Sequence, residues 1–185
     1  MEQHELLLFI VACFEKLKIP YLITGAIASI AYGEPRFTND IDIVVDMSLT
    51  HADAFKSLFP ENEFYLDVDS MKKAINHRHQ FNIIHPGSGL KVDVIISKKD
   101  DFDQSRFARV KKLKVSETKS ADFASPEDVI IKKLEYFKQG RSEKHLRDIA
   151  SMVKISSELI DRTYVSSWAK KLSLSELWDE IQKKV

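Results

Sequence analysis

Cysteine is almost missing from this chain. The 185 residues include one, Cys13, so no disulfide can close within the chain and no cysteine-based zinc cage can be built. That usage fits a reducing cytoplasm. Net charge is missing too: 28 Lys and Arg balance 28 Asp and Glu. No global field draws the molecule to nucleic acid or to an acidic membrane, and only a local basic patch could do so. The apolar run Leu6 to Cys13 is too short to span a bilayer, and the start Met1-Glu2-Gln3-His4-Glu5 is acidic rather than basic. It reads as a helix, not a signal. There is no internal repeat and no low-complexity tract. What is present is 44% hydrophobic and 30% charged, which suits one good core, or one core with a helical appendage.

The stretch Tyr21 to Asp46 organises the rest. Tyr21 to Thr24 is suited to a buried strand. Gly25 supplies a turn at its end, where a backbone without Cβ can bend and come close to a ligand. Ala26 to Tyr32 reads as a short helix, ended by Gly33 and Pro35. The first N–H groups of a helix have no intrahelical partner, so this turn can bind an anion. In Asp40 to Asp46, Ile41, Ile43 and Val45 share one strand face, and Asp40 and Asp42 share the other. Two carboxylates aimed the same way are costly unless a cation offsets them. An anion-binding turn followed by paired carboxylates is what a metal-dependent nucleotide site needs.

The pattern Gly25-Ala26, thirteen residues, then Asp40-Ile41-Asp42 resembles the signature of the nucleotidyltransferase superfamily, the polymerase-beta-like fold. The segment Tyr32 to Asp42, YGEPRFTNDID, is similar to the bacterial branch that includes AbiEii-type abortive-infection toxins. The family usually has Gly or Ser where this chain has Ala26, which keeps its N–H but brings no hydroxyl. The resemblance implies an α/β (α+β) fold: a mixed sheet of about four to six strands flanked by helices, with a C-terminal helical part. It implies transfer of an NMP from an NTP, ATP among the candidates, to an acceptor hydroxyl, with one or two Mg²⁺ ions held by carboxylates. The acceptor is open between an RNA or tRNA end, a protein side chain and a small molecule. A toxin–antitoxin role with a protein partner belongs to the same branch, and the membrane is not a partner. The alternative is a catalytically silent nucleotide- or partner-binding module of the same fold.

The remaining segments supply the other candidates. Glu5 to Lys18 has a broad apolar helical face and stops before Pro20. Thr50-His51-Ala52-Asp53 reads as a capping box for a helix from Ala54 to Phe59. Phe64 to Asp69 reads as a short strand and Ser70 to Asn76 as a short helix. Gln80 to Ile84 and Leu90 to Ser97 form a hairpin pair, in which Val92, Val94 and Ile96 share a face and Asp93 takes the other. By the resemblance Asp93 is the third carboxylate and a general base; by itself it is also readable as a strand-end acid. Phe102 to Phe107 is a helical turn. Arg109 to Val115 is a lysine-rich edge strand or a basic guide for RNA or nucleotide.

Ser125-Pro126-Glu127-Asp128 starts a helix running from Pro126 to Lys138 and ended by Gly140. Lys133 borders its apolar stripe of Val129, Ile130, Leu134 and Phe137, and so snorkels or meets an anion. Glu143 to Val153 is the next helix. Asp148 within it is carried by the resemblance, against an exposed ion pair with Arg147 or Lys144. Ser157 to Lys171 and Ser173 to Val185 complete the helices, the latter with a capping box from Ser173 to Glu176. The resemblance thus makes Asp40, Asp42 and Asp93 the catalytic and metal-binding set. It makes Thr24, Gly25, Ala26, Arg36, Thr38, Lys133 and Asp148 the nucleotide-binding set, Lys133 facing the phosphates. The expected division is an α/β core over 1–124 and a helical region over 125–185 packed on it. His77-Arg78-His79 and His85 match zinc-ligand spacing poorly.

Overall fold

A six-stranded mixed sheet organises the computed structural model, which describes residues 1–184, and the alternation of buried and part-exposed residues is clearest in the strand Leu90–Ile96. The last residue of the predicted C-terminal helix, 185, lies outside them. In chain order the elements are α1 (Gln3–Lys16), β1 (Tyr21–Thr24), α2 (Gly25–Tyr32), β2 (Asp40–Val45), α3 (Ala52–Lys56), α4 (Val68–His77), β3 (Gln80–His85), β4 (Leu90–Ile96) and α5 (Asp101–Ala108). Then follow β5 (Lys111–Lys114), β6 (Ser120–Phe123), α6 (Pro126–Gly140), α7 (Glu143–Ile155), α8 (Arg162–Lys171) and α9 (Ser175–Lys184). The sheet order is β3-β4-β2-β1-β6-β5. β2 runs parallel to β4 and β1 to β6, while the other pairs are antiparallel. No helix among the described residues is long and apolar enough to cross a membrane.

The chain divides into two compact units. One is Met1–Thr24 with Thr38–Phe123; the other is Gly25–Phe37 with the residues from Ala124 onward. The segment 25–37 is thus grouped with the C-terminal helices rather than with the sheet.

The first unit carries the whole sheet. Ile23, Ile41, Ile43, Val45, Val92, Val94, Ile96, Phe81 and Ile83 are buried and fall on one face by register. Phe14 of α1 stacks on Tyr21 at 5.8 Å and on Phe55 of α3 at 5.2 Å, and Phe55 meets Phe81 of β3 edge-on. Each such ring removes enough apolar surface to stabilise the fold by ~2 kcal/mol, so this face is the core. α1 ends when Lys18 turns left-handed, before Pro20 is reached. β5, with its three lysines, is the sheet edge that its composition predicts.

Several local expectations shift. The cap before α3 is Ser48, whose partner is the His51 side chain, because Leu49–His51 forms a 3-10 turn that moves the start upstream. α3 then ends at Lys56, short of the predicted Phe59. The predicted strand at Phe64 to Asp69 reduces to one bridge, Tyr65 to Ile84, since Asp67 caps α4 instead. β6 was not expected: four residues with two apolar positions gain strand form only by pairing, parallel with β1 and antiparallel with β5.

In the second unit, α6 buries Val129, Ile130, Ile131, Leu134 and Phe137. It runs through Gly140, and Arg141 takes the left-handed cap expected of the glycine. Tyr32 at the end of α2 is tied at both ends, donating its hydroxyl to the Ala124 carbonyl (2.9 Å) and accepting from Ser156 Oγ at its own carbonyl (2.6 Å). Gly33 passes so near α7 that a Cβ there would lie 2.6 Å from Ser151 Oγ. The predicted helix over Ser157 to Lys171 breaks into a 3-10 turn, Ser157–Leu159, and α8, capped by Asp161. Ser173 is left-handed and closes α8 through Leu174 N to Ala169 O (2.7 Å). It therefore cannot also serve as the extended cap of α9.

Candidate functional site

On the sheet face opposite the aromatic core, four polar side chains form one rung across four strands. Thr24 of β1 pairs with Asp42 of β2, Asp42 with Asp93 of β4, and Asp93 with Asn82 of β3. Laterally paired residues point the same way, about 4.8 Å apart, so strand pairing alone sets Asp42 beside Asp93. Asp40, two residues before Asp42 and hence on the same face, pairs with Lys91. Three carboxylates from two adjacent strands thus share this face.

Lys91 decides how that charge is held. Its Nζ lies 3.0 Å from Asp93 Oδ2 and 3.6 Å from Asp40 Oδ1. The hydrogen bond to Asp93 raises its pKa above the ordinary lysine value, against the effect of burial. The other Asp93 oxygen, Oδ1, accepts from Asn82 Nδ2 at 2.7 Å. Hard carboxylate oxygens on one face of adjacent strands are the donor type Mg²⁺ takes, and in that respect the residues fit the ion. Among the described residues, however, no three or more His, Cys, Asp or Glu side chains form a group that could hold a metal. Asp40 and Asp93 stand paired with Lys91. Thr38 holds the entry to β2: its carbonyl accepts from Gln3 Nε2 (2.7 Å) and its hydroxyl lies 3.5 Å from the Asp40 carbonyl.

The second unit holds the other candidates. Gly25 opens α2 with φ +62°, a conformation that costs a residue with Cβ about 1–2 kcal/mol. Ala26 follows, its carbonyl accepting from Ser29 Oγ at 2.9 Å. Asp148 gathers two cations. Arg36 donates to it through Nε (2.8 Å) and Nη2 (2.9 Å), and Lys133 through Nζ (2.6 Å). The Lys133 and Asp148 side chains are 5% and 8% exposed and that of Arg36 is 36% exposed. Burial alone would raise the Asp148 pKa, but the hydrogen bonds from Arg36 and Lys133 outweigh it and hold the carboxyl at about 2. Nearby His145 is pushed down, first by burial and then by the charge of Lys133.

Asp148 therefore does not make the exposed pair with Arg147 or Lys144 that its neighbourhood in sequence suggests. Its partners come from 112 and 15 residues away. Lys133 does not snorkel: it meets an anion, and that anion includes Asp148. Reasoning from sequence missed Asn82 and Lys91. Lys91 had a signal, two residues before Asp93 on a strand and so on the same face; Asn82 had none until the register of β3 on β4 was known.

No family model and no curated protein matches the sequence. Solved structures do. An antigenic nucleotidyltransferase-like protein from Paracoccidioides brasiliensis matches at 19% identity and TM-score 0.54, over 95% of this chain and 91% of that one. The lincosamide antibiotic adenylyltransferase LnuA, lincomycin-bound, matches at 16% and 0.56, over 84% and 98%. ANT(2'')-Ia, in complex with adenylyl-2''-tobramycin, matches at 13% and 0.53, over 98% of each chain. At such identities the likeness is one of fold.

Proposed function

We propose, from the nucleotidyltransferase-like fold of this chain, that it transfers an NMP from an NTP to an acceptor hydroxyl. The observation that carries this reading is the pairing of Asp42 with Asp93, with Asp40 on the same face. The acceptor oxygen forms a bond to the α-phosphorus, the bond from that phosphorus to its bridging oxygen breaks, and pyrophosphate leaves. Asp93 takes the hydroxyl proton on a carboxylate oxygen. Magnesium, when bound, supplies charge stabilisation at the α-phosphate, and Asp40, Asp42 and Asp93 are the residues that would hold it. Gly25 and the first N–H groups of α2 would bind the outer phosphate oxygens. Arg36, the more exposed cation on Asp148, suits phosphate contact better than the buried Lys133. The compartment proposed is a reducing cytoplasm, which the single buried thiol of Cys13 suits.

A small hydroxyl-bearing molecule is the first acceptor to test, since two of the matching folds are described with lincomycin and with adenylyl-tobramycin. RNA ends and protein side chains are the other arms. Purified protein with Mg²⁺ and α-labelled NTP is expected to label one acceptor class. Asp42→Asn should lower that transfer by two orders of magnitude or more, because even outer-shell partners of a metal are typically worth about 10–100-fold. Absence of transfer with all four NTPs and all three acceptor classes, while nucleotide still binds, would support the second reading, a binding module without turnover. That second reading is favoured by the ammonium among the acids.

A further inference from the structure

We infer that Lys91 is a tethered cation that holds Asp40 and Asp93 in a metal-free form and has to be displaced when a divalent ion binds, so that it sets the metal affinity of the site. This rests on the metal-dependent reading above. Lys91 and Asp93 lie two residues apart on β4 and share a face, and Lys91 pairs with Asp40 across to β2. The ammonium contacts both acids, at 3.0 and 3.6 Å. Asn82 reaches Asp93 Oδ1 from β3, whereas Lys91 links Oδ2 to Asp40 on β2. The oxygen taken by the ammonium is thus the one tied to the strand that carries the other two acids.

The attachment is suited to release. The side chain is 36% exposed, so the ammonium can turn to water without entering the core. An ammonium is a compact point charge on a flexible four-carbon stem, and it does not grip a carboxylate with the two-point fork of a guanidinium. It neutralises neighbouring carboxylates that would otherwise repel, and it repels an incoming divalent ion. An ammonium that has turned aside to about 6 Å from a divalent ion in water still opposes it by enough to change affinity about tenfold, which corresponds to ~1.4 kcal/mol.

The test uses Mn²⁺ without nucleotide, with the free ion followed by electron paramagnetic resonance, on wild type, Lys91→Met, Lys91→Arg and Asp42→Asn. Lys91→Met is expected to bind Mn²⁺ about tenfold more tightly than wild type and Lys91→Arg no more tightly. Mn²⁺ should also raise the melting temperature of Lys91→Met more than that of wild type. If Lys91→Met does not fold, Lys91→Gln, which keeps most of the length and a polar end, carries the same comparison. Equal or weaker Mn²⁺ binding by Lys91→Met, with binding still lost in Asp42→Asn, overturns the role of Lys91 and leaves the metal site standing. Unchanged Mn²⁺ affinity with weakened nucleotide binding overturns it in favour of a phosphate contact. Mn²⁺ binding insensitive to Asp42→Asn overturns both.

Discussion

Asp148→Asn keeps the size of a buried side chain and removes the charge on which two cations close. Lys133, 5% exposed, then stays inside with its charge facing an amide, whereas Arg36, 36% exposed, can turn to water. Breaking a buried pair by removing one partner costs about 3–5 kcal/mol. A carboxyl held at about 2 instead of its ordinary 3.8 independently corresponds to roughly 2 kcal/mol of favourable interaction. The expected loss is about 3 kcal/mol in urea unfolding at pH 7, or roughly 6–12 °C in melting temperature for a chain of this length. The pH dependence has a definite sign. A depressed carboxyl pKa contributes its full stability above the ordinary value and loses it as pH falls towards the folded value. The gap between wild type and Asp148→Asn should therefore be constant above about pH 5 and shrink between about pH 4 and pH 2. Asp148→Leu with Lys133→Met removes both buried charges and should recover stability to within about 1 kcal/mol of wild type. A loss below about 1 kcal/mol for Asp148→Asn, or a gap that does not narrow in acid, would refute the account.

Two further outcomes follow from packing. Gly33→Ala places a Cβ 2.6 Å from Ser151 Oγ and 2.9 Å from the Ser29 carbonyl oxygen. The backbone oxygen cannot swing aside, so equilibrium unfolding should show a loss of about 1–3 kcal/mol; an unchanged urea midpoint would argue against so close a passage. Cys13 is buried, and burial pushes its thiol up to about 11, with Lys16 acting weakly in the other direction. A thiol-reactive dye at pH 8 should therefore label it only as denaturant opens the fold, and complete native-state labelling within minutes would contradict its placement.

Much of the site could be seen in one dimension because strand faces repeat every two residues. Asp40 and Asp42 opposite Ile41, Ile43 and Val45, and Asp93 opposite Val92 and Val94, needed no tertiary information, and the same holds for Ser125 as the cap of α6. Short polar segments were less readable. Ser120–Phe123 becomes a strand only through its partners, and Ser173 is drawn into closing α8 although its spacing to Glu176 resembles a cap.

The sequence by itself determined which side chains share a strand face and where a glycine turn joins β1 to α2, because alternation and glycine geometry are local properties of the backbone. Only the tertiary structure decided which residues lie side by side. Lys91 beside Asp40, Asn82 on Asp93, and Arg36 with Lys133 on Asp148 all depend on strand register and on packing between different elements. A charge finds its counter-ion by distance in space, and separation along the sequence does not encode that distance.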